Sequence, residues 1–579
     1  MVTRRCPRPA ALSCLLLIAS LLSGCESEPA IEGGVHPELA LHSGEFEKRV
    51  YRVTDGVYQA VGFGLANSIL LEGDECVVIV DVMGSVESAR AVKTEFEKIT
   101  PKPIRALIYT HNHADHVFGG RGFVPEGEIE VYAHETTESY IDRVVNIIRP
   151  AITVRSARMF GSYLPRQGAD AMVNNGIGPY LEINQEGQTL GLIRPNRTFS
   201  ENMQLELCGL QLELVHAPGE TNDQLFIWLP KKKVLLPGDN VYRAFPNLYT
   251  IRGTLYRDVM DWVRSIDKMR AREPEYLAPS HTRPISGAEE VAETLTAYRD
   301  AIQYVHDQTI RGMNQGLTPE ELVEIVELPP HLKQHPYLRE FYGTVPWSVR
   351  SIFSGYLGWF GGDTATLSPA SPEARARGFV ELAGGEDALL AAVRKALEEE
   401  RYEWAAELAT QLLRIDAEHA EARRLKASAL RVLGQRSVSS NGRNYYLTQA
   451  RELEGSVYVE AEQEFDEDVR ALVRSIPIRN FLAAMPTYLD PEKSADSELV
   501  VGFRFLDVDE GYTIHVRRGV AEFQPSFPEN PDVSITTDTN VWRELVLGVR
   551  NPLTTFASGA VEVEGSTLEL LRFLRMFSS

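Results

Sequence analysis

Between residues 46 and 290, short β-branched and aromatic runs alternate with stretches whose apolar residues keep helical spacing. Cys76-Val77-Val78-Ile79-Val80-Asp81 is unbroken apolar sequence ending in a carboxylate, as expected of a strand buried on both faces. Ser85 to Ile99 reads as an amphipathic helix. Ile104 to Tyr109 is a second buried strand, and Glu130 to Ala133 a third. Leu210 to Val215, Gln224 to Leu229 and Val234 to Leu236 continue the pattern. A helix over Tyr256 to Arg272 and a short strand from Tyr276 to Ser280 complete it. Arg149 to Arg197 keeps no clear period, and its glycines and asparagines read as a long insertion placed to cover a site. Strands interleaved with helices predict an α/β domain over residues 46–312.

The character changes twice afterwards. Val291, Leu295, Tyr298, Ile302 and Val305 mark a helix between Glu289 and Gly312, and prolines at 329, 330 and 369 break the chain beyond it. Three amphipathic helices are expected between Pro372 and about Gly434, separated near Glu400 and Asp416-Ala417. The Tyr402-Trp404-Ala405 and Ala422-Leu425-Ala427 pattern resembles a tetratricopeptide hairpin without a run of repeats. The region 313–453 reads as a helical packing or self-association domain. From 454 to 579, strands at Leu499 to Leu506, Thr513 to Arg517 and Val533 to Thr536 precede helices at Val541 to Leu547 and Thr567 to Phe577. This is a second α/β module, without a convergent titratable cluster.

A length of 579 residues bounds the count at about three to four domains. The net charge of −22 argues against nucleic acid or an anionic lipid surface as partner, so an anionic ligand would need arginines close by. Arg4, Arg5 and Arg8 precede an apolar run, Ala10 to Leu22, that is too short for a normal membrane span. Leu22-Ser23-Gly24-Cys25 then resembles a bacterial lipobox. The expectation is a signal peptide over 1–25, a tether over 26–45 and a membrane link only through a lipid on Cys25. With Glu26 after the cysteine, the expected location is the periplasm, anchored in the outer membrane. Cys76 and Cys208 lie in separate apolar runs and are expected to be buried free thiols.

Thr110-His111-Asn112-His113-Ala114-Asp115-His116 follows the second strand and is the strongest chemical signal in the chain. Imidazoles and a carboxylate at this density suit zinc, and H-x-H-x-D-H suits two ions side by side. Four side chains cannot close two coordination shells. Three other strand ends offer more: His216-Ala217-Pro218-Gly219-Glu220, Leu236-Pro237-Gly238-Asp239 and Ala278-Pro279-Ser280-His281. His216 and His134 read as ordinary strand residues.

These residues resemble the metallo-β-lactamase superfamily, with Glu220 where its Pro-Gly-His-Thr turn carries histidine. That glutamate resembles the alkylsulfatase branch, as do Asn247-Leu248-Tyr249-Thr250-Ile251-Arg252-Gly253, Tyr337 to Gly343 and Tyr356 to Phe360. The resemblance implies an αββα sandwich, an α-helical dimerisation domain and a C-terminal α+β domain similar to sterol carrier protein. It also implies a homodimer and two Zn²⁺ ions. One ion would be held by His111, His113 and Glu220, the other by Asp115, His116 and His281, with Asp239 bridging. The catalytic set would be Asp115, Asn247 and Arg252, the last two holding the sulfate of an apolar-tailed sulfate ester. Two departures stand out. Asp239 replaces a bridging glutamate, and Trp347 occupies the position of a histidine proposed as general acid, a role indole cannot fill. Either His331 or His335 substitutes, the leaving group needs no acid, or the substrate is another ester, lactone or phosphoester. A lipid-binding lipoprotein with a structural metal site is the reading from outside enzymology.

Overall fold

The computed structural model describes residues 32–183, 185, 187–460, 473–546 and 548–577. The expected signal peptide and Cys25 lie outside them, as do residues 26–31 of the tether. Among the described residues, no helix is long and apolar enough to cross a membrane.

Seven strands form the first sheet in sequential order: β1 (Arg49–Thr54), β2 (Val57–Val61), β3 (Ser68–Glu72), β4 (Val77–Val80), β5 (Ile104–Ile108), β6 (Glu130–His134) and β7 (Arg197–Phe199). β4 is buried at every position, and β4 to β7 run parallel. Their carboxyl ends therefore share one edge, where α/β sheets build sites. Six strands form the second sheet: β8 (Asn202–Leu207), β9 (Leu210–His216), β10 (Leu225–Leu229), β11 (Val234–Leu236), β12 (Tyr276–Leu277) and β13 (Ile285–Ser286). β8 alternates exposed and half-buried positions as an edge strand should, whereas β10 is buried throughout.

Apolar residues of both sheets, among them Ile69, Val80, Leu214 and Ile227, fill the space between them. Helix Val86–Glu97 covers the outer face of the first sheet through Ala89, Val92 and Phe96. Helices Val259–Arg270 and Ala288–Met313 cover the second through Trp262, Ile266, Leu295 and Tyr298. The result is an αββα sandwich. Helix starts follow capping chemistry: Ser85 accepts from the amide of Ser88, and Asp258 from those of Met260 and Asp261.

The expectation of free thiols is wrong: Cys76 and Cys208 form a disulfide across 132 residues, with Cα atoms 5.3 Å apart. Cys76 precedes β4, and Cys208 sits in the β8–β9 turn. Sheet packing brings those turns together so tightly that a Cβ on Gly73 would lie 2.0 Å from the Cys208 carbonyl oxygen. In the chain-entropy account, closing so long a loop stabilises the fold by about 4 to 5 kcal/mol.

The helical region also differs from expectation. Four helices, not three, fill the stretch from Pro372: Pro372–Ala383, Glu386–Glu398, Tyr402–Ile415 and Ala420–Arg436. Gly384 terminates the first with φ of 92°, a left-handed cap that glycine adopts without strain. Helix Ser440–Leu453 follows and packs on the insertion helix Arg149–Met159, where Arg158 grips Glu452 through two 2.9 Å bonds. Among its described residues the C-terminal module holds five strands rather than three, β14 (Glu498–Phe505), β15 (Glu510–Arg517), β16 (Val520–Gln524), β17 (Val533–Thr537) and β18 (Val561–Gly565), in the order β16-β15-β14-β17-β18. Its edge strands were hidden because β16 is nowhere fully buried and β18 alternates valine with glutamate.

Candidate metal centre

The loop after β5 and the ends of β9, β11 and β12 converge at one edge of the sandwich. Donor atoms of His111, His113 and Asp239 lie within 4.8 Å of one another, as do those of Asp115, His116 and His281. Asp239 is central: its Oδ2 is 3.4 Å from Nε2 of His111, 3.4 Å from that of His116 and 3.1 Å from that of His281. Asp115 Oδ2 lies 3.4 Å from His116 and 3.6 Å from His281.

The Nδ1 side of three of the rings, facing away from the cluster, is already committed. His116 Nδ1 lies 2.8 Å from Asp81 Oδ2, His281 Nδ1 2.8 Å from the Leu65 carbonyl, and His111 Nδ1 3.0 Å from Thr110 Oγ1. Asp81, fully buried at the end of β4, also accepts from the Thr110 amide and hydroxyl and from Ser280 Oγ. One carboxylate thus ties three strand ends together and fixes the His116 tautomer, leaving Nε2 to face inward. Asn240 does the same for the Glu220 turn, accepting from the Glu220 amide and donating to Ala217.

Electrostatics follow from crowding. Burial opposes charge on Asp239, but the imidazoles of His116, His281 and His111 hold its carboxyl well below the ordinary range. Burial likewise opposes charge on His116, and Asp239, Asp115 and Asp81 outweigh it, raising that imidazole well above its usual value. His113 goes the other way: burial, then His111 and Arg252, push it well below.

The fit to metal rests on unmade bonds. His111 Nε2, His116 Nε2, Asp239 Oδ1 and Glu220 Oε2 are all buried without a hydrogen-bond partner. Buried polar atoms are rarely left so, and these are imidazole nitrogen and carboxylate oxygen, the donors divalent transition metals take. The donor set fits metal ions.

Glu220 falls outside both compact groups. Its Oε1 accepts from Arg257 at 3.1 Å, an ion pair in which both side chains are almost wholly buried. Sequence reasoning missed Arg257; the available signal was a second arginine five positions after Arg252. Arg257 also donates to the Asn247 carbonyl, joining the glutamate turn to the Asn247–Gly253 segment. Arg252 reaches the cluster, its Nη2 2.9 Å from His113 Nε2. Asn247 is fully buried, with neither side-chain atom hydrogen-bonded.

A cavity of about 160 Å³ opens on His113, Asp115, Asp239, His281 and Arg252, and its remaining wall is mostly apolar. Ile141 and Val145 supply one side; Ile152, Phe160 and Leu181 of the insertion supply another. The expected cover is therefore a wall. Trp347, His331 and His335 are not among the lining residues. The Trp347 indole packs over Gly442, His331 is exposed, and the His335 ring accepts from the Tyr337 amide. Tyr342 does line the cavity. His134 and His216 stand apart, stacked on each other at 4.1 Å.

The chain matches the metallo-beta-lactamase superfamily over residues 61–281, alkyl sulfatase dimerisation over 318–456 and alkyl sulfatase C-terminal over 468–579. It is 40% identical to a linear primary-alkylsulfatase of Pseudomonas sp. (strain ATCC 19151), over 88% of this chain and 98% of that protein. It is 30% identical to the alkyl/aryl-sulfatase BDS1 of Saccharomyces cerevisiae (strain ATCC 204508 / S288c), over 91% and 82%. The solved structure of the stereoselective inverting sec-alkylsulfatase Pisa1 from Pseudomonas sp. superposes with a TM-score of 0.89 at 28% identity, covering 96% of this chain and 88% of that one. Likeness that runs through all three domains, and not only through the loop after β5, makes this chain a metal-dependent sulfuric ester hydrolase belonging to the alkylsulfatase family of the metallo-β-lactamase superfamily.

Proposed function

We propose that the chain is a binuclear zinc enzyme that releases sulfate from alkyl sulfates with a linear apolar tail. The observation that carries this reading is the set of buried, unbonded donor atoms beside an apolar cavity whose wall bears Arg252. The tail follows the relative at 40% identity, named a linear primary-alkylsulfatase. His111, His113 and Glu220 would hold one ion and Asp115, His116 and His281 the other, with Asp239 between them. Bound there, the ions supply Lewis acidity and an ionised water near neutral pH.

The protein's own residues do the rest. Asp81 and the Leu65 carbonyl keep His116 and His281 from rotating. Arg252, whose Nη2 lies 2.9 Å from His113 Nε2 at the cavity wall, would offer a planar fork to the sulfate, and the unbonded Asn247 amide would add a donor. Ile141, Val145, Phe160 and Leu181 take the tail out of water, gaining about 0.8 kcal/mol per buried methylene. Tyr342 is a further residue of the cavity wall. Burial raises its phenol well above the usual range, so it keeps its proton near neutral pH.

A homodimer fits the dimerisation match, within whose span Tyr356, Leu357, Trp359, Leu367 and Leu382 are exposed. Export as a lipoprotein anchored through Cys25 fits the disulfide, which persists in oxidising compartments. The deciding experiment offers dodecyl sulfate to the zinc-loaded protein. Inorganic sulfate should appear, cease with a chelator and return with zinc. No sulfate from protein holding two zinc ions would sink the reading.

A further inference from the structure

Among the described residues of the C-terminal module, none is a donor in either metal cluster and none lines the apolar cavity. Its own interior is filled by Phe503, Phe505, Trp542 and Phe573, all fully buried. It nevertheless grips the back of the cavity wall. Helix Thr137–Asp142 and the π-helical turn Arg143–Ile147 supply Ile141, Val144 and Val145 to that wall. Behind them, Val473 and Ile476 of the module join Ile141 and Val145 in one buried apolar cluster. Asn480 donates to Asp142 Oδ2 at 2.6 Å, Arg194 to its Oδ1 at 2.8 Å, and the Tyr488 hydroxyl to the Asn146 carbonyl. Arg194 also donates to the Ser475 carbonyl at 2.7 Å.

The sequence makes this turn dependent on outside donors. Pro150 has no N–H, so the Asn146 carbonyl, four residues earlier, lacks the partner an α-helix would give it. Tyr488 fills that place. Buried carbonyls without donors are costly, and π-helical turns are rare outside functional sites. Asp142, 5% exposed, has one oxygen committed to the insertion through Arg194 and the other to the module through Asn480.

We infer that Asn480 and Tyr488 are positioning residues for the alkyl tail, holding the π-helical turn and with it the wall formed by Ile141, Val144 and Val145. The inference rests on the sulfatase reading and gives the C-terminal module a part in selecting tail length. The metal donors sit at strand ends of the sandwich and do not depend on the turn. Slackening the turn therefore costs contacts with methylenes and spares the chemistry at the sulfate.

Decyl and butyl sulfate, offered to the zinc-loaded full chain, read the tail and the head of the substrate separately. In the double variant Asn480→Ala, Tyr488→Phe, KM for decyl sulfate should rise about five-fold or more. KM for butyl sulfate, and kcat for both esters, should change less than about two-fold. Tyr488→Phe alone removes one oxygen from a side chain at the surface and should give the same change in smaller measure. The answer then does not hang on the folding of the double variant. KM rising equally for both esters, or for neither, would overturn the inference. Calorimetric titration with decane-1-sulfonate and butane-1-sulfonate, which lack the ester bond, needs no turnover. The double variant should bind the decyl compound about five-fold or more weakly, and the butyl compound as the parent does. Equal affinity of parent and variant for decane-1-sulfonate, or no binding by the parent, refutes the inference even where decyl sulfate is hydrolysed. A tail-selective loss in a chain that releases no sulfate refutes only the sulfatase reading.

Discussion

Two groups of histidines sit at the carboxyl ends of neighbouring strands, and only one of them is poised for chemistry. His134 ends β6 and His216 ends β9; their rings stack at 4.1 Å with planes 18° apart. His134 has both nitrogens engaged, by Thr136 and the Ser200 carbonyl, and His216 Nε2 lies 2.8 Å from the Asn222 carbonyl. His111 and His116, with centroids 4.3 Å apart, are as close, yet each keeps a buried Nε2 without a hydrogen-bond partner. Proximity of imidazoles is therefore a poor guide to function. The distinguishing quantity is the nitrogen that packing and hydrogen bonding leave open, in company with carboxylates left open as well.

That contrast breaks most sharply at Asp239. Asp239→Ala should remove the carboxylate that lies within 3.4 Å of His111, His116 and His281, cutting sulfate release by about 10³-fold or more and lowering bound metal, as read by elemental analysis. Full activity with full metal content would mean the open donors are not ligands. Arg252→Ala is expected to raise KM for alkyl sulfates by about 10- to 100-fold, the worth of a charge-assisted hydrogen bond, while metal content stays unchanged. An unaltered KM would remove Arg252 from the anion site. Asp81→Asn probes the side of the His116 ring that faces away from the cluster. It keeps the shape but weakens the acceptor facing His116, and zinc affinity should fall by about 10- to 100-fold in a competition assay with a chromogenic chelator.

What was legible in the sequence follows the same logic. The loop from His111 to His116 stood out because residues that ligate metals are rarely so dense, and Glu220, Asp239 and His281 because each follows a strand. Sandwich strands such as Val234–Leu236 are found where their apolar runs lie. Arg257 was not legible, since it sits beside the helix-capping Asp258 and its pairing with Glu220 depends on two loops meeting. The Cys76–Cys208 bond was hidden for the same reason: two isolated cysteines 132 residues apart become neighbours only when the sheets stack. Gly384-Gly385 did carry its signal, a helix stop, and that break makes four helices of the expected three.

The smallest expected effect tests the bland half of the contrast. His216→Phe keeps an aromatic ring for the stack on His134 but gives up the contact with Asn222. Sulfate release should change less than about two-fold, and the melting temperature at pH 8 should move only slightly, because one exposed hydrogen bond is worth about 1 kcal/mol or less. The pH dependence carries the sharper signature. Burial lowers the His216 pKa in the folded chain, so the unfolded chain binds the proton more readily. Its contribution to stability is therefore complete above pH about 6.5 and is lost as the pH falls below that value. Phenylalanine does not titrate, so the variant's melting temperature should fall less steeply than the parent's on going from pH 7 to pH 5. Parallel curves would show that His216 keeps its ordinary pKa. A collapse of sulfate release in His216→Phe, with zinc content intact, would make the stacked pair part of the catalytic apparatus and end the distinction between the two clusters.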